Sequence, residues 1–142
     1  MKPGQIARIV GAALLVMALN VGVSILYMFV YSYLINPGHP EQFYQEHVRI
    51  AAPWCSIIAG APLMFLICRW LASRWERASA VRAAMSVWVV YAAIDLLVLG
   101  GSWMNSGPKP WLIALVVISL ATKLAAAYLG GTSGARRALA VT

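Results

Sequence analysis

Apolar residues in this chain come in long blocks rather than in alternation. Positions 9–35 and 50–68 carry no charged residue. Positions 83–103 carry Asp95 alone, and positions 111–129 carry Lys123 alone. A helix needs about 20 mostly apolar residues to cross roughly 30 Å of hydrocarbon. The four blocks therefore predict an all-α integral membrane bundle, a single domain over 1–142 with spans near 9–35, 50–68, 83–103 and 111–129. A transmembrane barrel does not fit, because its strands are alternating segments of about 10 residues. The first block is longer than a signal-peptide core and is not closed by a small-residue cleavage site, so it reads as a retained helix.

The boundaries have local causes. Asn36, Pro37 and Gly38 end the first helix, and Asn105, Gly107 and Pro108 end the third, all being turn formers. The run from Leu129 to Gly134, with its three glycines, predicts the end of the fourth helix and a frayed tail beyond it. Pro62 removes a hydrogen bond to the carbonyl near Ile58 and predicts a kink there.

Composition sharpens the class. The chain is 62% hydrophobic and 11% charged, against about a quarter charged in soluble domains. Its net charge of +7 invites a nucleic-acid reading, but the placement of the charges argues otherwise. Lys2 and Arg8 precede the first helix, Arg69, Arg74, Arg77 and Arg82 lie between the second and third, and Arg136 and Arg137 follow the fourth. Only Arg49 and Lys109 fall on the other side. This positive-inside pattern places both termini in the cytoplasm. The basic residues then face anionic headgroups of the bilayer, and no nucleic-acid partner is expected. Trp54, Trp103, Trp111, Tyr33 and Tyr44 mark the outer interface, and Trp70, Trp75 and Tyr128 the inner one. The Ala- and Arg-rich composition and short loops fit a multi-pass protein of a bacterial-type cell inner membrane.

Candidate chemistry sits on two helix faces. Asn20, Ser24, Tyr27 and Tyr31 recur at helical spacing on the first helix, and Trp88, Tyr91 and Asp95 on the third. At 1.5 Å per residue, Asn20 lies about 18 Å above Arg8, and Asp95 about 20 Å above Arg82. Both stripes thus meet at one depth in the outer half, where Ser56 arrives from the second helix. Asn20, Ser24, Tyr27, Tyr31, Ser56, Trp88, Tyr91 and Asp95 are the candidate ligand-binding residues. Lys123 is a possible charge partner for Asp95, although the same arithmetic sets it about 6–8 Å lower, where a lysine stem would snorkel toward the cytoplasm.

A second constellation, His39, Glu41, Glu46 and His47, offers weak metal candidates, since its spacing matches no metal motif. The plainer reading is a short interfacial helix starting at Pro40, with Phe43 and Tyr44 toward lipid and Glu46 paired with Arg49. No cofactor is implied, because two axial haem histidines would need facing helices at core depth. No nucleophile–base pair or phosphate-binding glycine loop points to catalysis. Cys55 and Cys68 lie 13 residues apart, about 20 Å on one helix and beyond disulfide reach.

Two functions follow as expectations. The first is a small transporter or membrane ligand-binding protein with an outer-half polar pocket around Asp95, acting as a homo-oligomer because four helices are few for a pathway. The second is a structural or assembly subunit of a larger membrane complex. It draws on small residues four apart, such as Ala18 and Gly22, Ser56 and Gly60, and Ala121 and Ala125.

Overall fold

The computed structural model describes residues 3–107 and 109–137. Lys2, Pro108 and the tail beyond Arg137 lie outside the described residues, as does the side chain of Trp103. Every regular element among the described residues is a helix. Helix α1 spans Pro3–Val30 and runs into a π-helical turn, Tyr31–Ile35. Helix α2 spans Glu41–Ile58, α3 Gly60–Ala72, α4 Arg77–Ser106 and α5 Pro110–Arg137. Four of the resulting segments are long and apolar enough to cross a membrane: Pro3–Ile35, Glu41–Ala72, Ala78–Gly101 and Pro110–Arg136. Large side chains such as Leu34, Ile58 and Leu97, more than 70% exposed, form the outer surface, as expected where the surrounding solvent is lipid rather than water.

Close to the kink expected before Pro62, the helix is interrupted at Ala59, which separates α2 from α3 within one long span. Ala59 N–H still donates to Cys55 O at 2.9 Å, and Leu63 N–H to Ala59 O at 3.1 Å. Pro62 has no N–H to offer the carbonyl of Ile58, and the regular helix is interrupted beside that missing bond.

Two boundaries differ from the sequence reading. The segment from Glu41 is not a separate interfacial helix, because α2 continues unbroken from it into the span. Pro53 sits inside this helix without ending it. Tyr44 also turns inward, donating its hydroxyl to Asn36 O at 2.7 Å.

The larger difference is at the other end of the chain. The glycines after Leu129 do not stop the fourth span, and α5 runs on to Arg137. A methyl placed on Gly130 would lie 2.5 Å from Phe65 O, and one on Gly134 2.5 Å from Arg69 O. A methyl on Gly131 would lie 2.8 Å from Ala84 Cβ. These glycines let α5 press against the backbones of α3 and α4, the role small residues play between membrane helices.

That close packing places the core. Ile9, Val16, Met64, Leu71, Val87 and Ala127 are all buried in one cluster. It occupies the half of the bundle that holds both chain ends and the α3–α4 turn. The opposite half holds the turn at 36–40, Gly107 and Lys109. There Ala51 alone of α2 is buried, and space remains between the helices.

Candidate functional site

The space in that half is a cavity of about 370 Å³ between α1, α2, α4 and α5. Drug-sized ligand sites begin at about 300 Å³. Its walls are mostly apolar, from Val21, Ile25, Val48, Leu112, Leu115 and Val116. Its polar lining is Asn20, Ser24, Ser56, Asp95 and Ser119.

Beneath this lining lies Lys123, fully buried. Its ammonium donates to Ser56 Oγ at 2.6 Å and Ser119 Oγ at 2.7 Å. It also lies 4.8 Å from the centre of the Tyr91 ring. Short bonds from an ionised donor are about twice as strong as neutral ones, and a ring face adds a cation–π attraction. Gly60 makes room for the lysine. A Cβ at Gly60 would collide with Lys123 Cε and lie 3.2 Å from both Lys123 Nζ and Asn20 Oδ1.

The lysine reaches toward the cavity, not toward the nearer interface. Side chains on a helix lean toward its N-terminus, and α5 begins at the cavity end. Lys123 is therefore drawn one turn up, onto Ser119. On α4 the N-terminus is at the opposite end, so Asp95 leans down the bundle. The two ions approach each other, but the ammonium makes its hydrogen bonds to the serines and forms no direct pair with Asp95. Asp95 stands on the cavity wall and accepts no hydrogen bond among the described residues.

The hydroxyls can be accounted for one by one. Asn20 Nδ2 donates to Ser56 Oγ at 3.0 Å and, at a long 3.5 Å, to Tyr91 Oη. Ser56 Oγ thus accepts from Asn20 and Lys123. Ser119 Oγ lies 3.3 Å from it, with either hydroxyl able to donate. Ser119 Oγ also accepts from Lys123. Asn20 Oδ1 is also buried without a partner, which is costly for an amide oxygen. Ser24 closes onto its own helix, donating to Asn20 O at 3.2 Å.

The sequence candidates therefore divide. Asn20, Ser24, Ser56 and Asp95 line the cavity, and Tyr91 packs below it against Lys123. Trp88 does not line it, and its indole N–H donates to Leu120 O at 3.0 Å. Tyr27 and Tyr31 do not line it either. They belong to an aromatic cluster on the α1–α2 side. There the His47 ring stacks on Tyr31 at 3.9 Å between centroids and pairs with Tyr27 Oη at 3.1 Å. His39 stacks on Phe43 at 4.3 Å and pairs with Asn36 Oδ1 at 3.0 Å. Rings, a hydroxyl and an amide thus engage both imidazoles. Among the described residues no three His, Cys, Asp or Glu side chains converge to hold a metal ion. Both cysteines are free thiols.

Ser119 is the functional candidate that the sequence reading missed. It stands alone in an apolar block, but it is four residues before Lys123, and that spacing on a helix places a hydroxyl beside an ammonium. Comparison with known proteins adds no identity: no family model, curated protein or solved structure matches this chain.

Proposed function

We propose that this chain is a small transporter or membrane ligand-binding protein whose binding site is the cavity around Asp95. The observation that carries this reading is the 370 Å³ cavity itself, with a carboxylate on its wall and an ammonium under its floor. Hydrogen bonds that only join membrane helices contribute about 0.6 kcal/mol each. A buried ammonium costs several kcal/mol, and ions kept at that depth mark ligand or ion pathways. The lining also suggests what the guest looks like. Apolar walls favour an apolar body, the Ser119 hydroxyl on the wall favours a hydrogen-bonding group at one end, and Asp95 favours a cationic or donor group.

The basic residues at the chain ends and at the α3–α4 turn support a multi-pass orientation with both termini in the cytoplasm of a cell with an inner membrane. In that frame the cavity lies in the outer half. Four helices enclose little of a pathway, so the working unit is a homo-oligomer.

Native mass spectrometry on protein released gently from its own membrane tests the proposal. The expected result is a discrete oligomer that retains a small molecule, and loses it when Asp95 is replaced by Asn. A bare chain, or one bound to a different protein, would favour a structural subunit and make the polar cluster interhelical glue.

A further inference from the structure

A groove of about 290 Å³ lies at the opposite end of the bundle, between the start of α1 and the end of α3. Its walls include Arg8, Gly11, Leu15, Trp70, Arg74 and Trp75. We propose that it binds one anionic phospholipid, the phosphate held between Arg8 and Arg74 and one acyl chain laid along Gly11 and Leu15.

Charge complementarity is the first argument. A guanidinium comes from each side of the groove, and no acidic residue lines it. Arg74 Cζ lies over the Trp70 ring, 4.3 Å from its centre. Stacking holds the guanidinium plane and leaves its edge N–H groups free for two-pronged contact with phosphate oxygens. The second argument is depth. Trp70 and Trp75 are indoles, which settle at headgroup level, while Gly11, Ala12, Leu15 and Leu71 continue the groove as an apolar floor. A soluble phosphate would leave that floor bare, whereas a lipid fills both parts. The third argument is preformed shape. Trp75 packs against the buried core, and Ser73 Oγ donates to Trp70 O at 2.8 Å, which fixes the turn that carries Arg74. Gly11 supplies the open space, since a Cβ there would meet nothing within 4 Å.

The test uses the full chain offered an equimolar mixture of phosphatidylglycerol and phosphatidylcholine, with bound lipid counted by native mass spectrometry. Two basic side chains at a membrane surface predict a preference of about 30-fold for the anionic lipid. R8Q and R74Q should each reduce the preference about fivefold, and the double variant should abolish it. G11L keeps both arginines but fills the groove, and should lose retained phosphatidylglycerol. Circular dichroism matching the parent shows that each variant is folded. Equal retention of the two lipids by the parent protein overturns the proposal. So does an undiminished preference in the folded double variant, or undiminished retention in G11L.

Discussion

At the scale of the residue, Lys123 sets the terms. It is wholly buried, bonded to two neutral hydroxyls and a ring face, and has no anion in direct contact. Replacing buried ions is often neutral or stabilising by about 1–4 kcal/mol when no unpaired charge is left behind, and the direct partners of Lys123 are neutral hydroxyls. Lys123→Met should therefore unfold at the same or higher denaturant concentration than the parent, while retention of a cavity guest is lost. A destabilised variant would mean that the ammonium mainly holds helices together. Gly60→Ala should cost about 1–3 kcal/mol, because the new methyl would push the lysine stem aside and draw its ammonium off Ser56 and Ser119. Equilibrium unfolding in detergent measures both. Much of this site is legible in the sequence, since Asn20, Ser56 and Asp95 can be set at one height by counting rise per residue. The reach of Lys123 is not legible in that arithmetic, which locates backbones. Side-chain lean adds most of a turn in opposite senses on α4 and α5, and this brings Lys123 up to Ser119.

At the scale of the element, small residues decide where helices touch. Spacing alone does not say which small residues those are. Ala18 and Gly22 have the right interval, yet a Cβ at Gly22 would meet nothing within 4 Å. Gly130 and Gly134 have the same interval and lie against carbonyl oxygens of α3. Read as a sequence, the glycines resemble a helix stop, because glycine serves both purposes. The bundle distinguishes them only through the helices that arrive at that face. Gly130→Ala and Gly134→Ala should each lower stability by about 1–3 kcal/mol through forced separation of α3 and α5. Gly22→Ala should be neutral or slightly stabilising, since alanine is the better helix former by about 1 kcal/mol. Thermal melts of the three variants in one detergent give the comparison, and equal losses at all three positions would contradict the packing described.

At the scale of the whole molecule, the blocks of apolar sequence and the four long helices agree, because span length is set by the bilayer and little else. The orientation proposed from Arg and Lys placement predicts that a reporter active only in the cytoplasm will work when fused to either terminus. Activity from a fusion in the 36–40 turn instead would invert the assignment. The segment Pro3–Ile35 has 33 residues, about 50 Å of helix against roughly 30 Å of hydrocarbon, so it must tilt or project.

The two thiols lie in very different surroundings. Cys68 is fully buried, with Met64 Sδ at 3.6 Å and Ala84 O at 3.8 Å from its sulfur. Cys55 is only partly covered and faces a groove between α1 and α2. A membrane-permeant alkylating reagent should therefore modify Cys55 before Cys68, and Cys68 only as fast as the helices separate. Without any mutation, the protein thus carries a labelling handle next to Ser56 in the cavity lining, and in Cys68 a clock for its own opening.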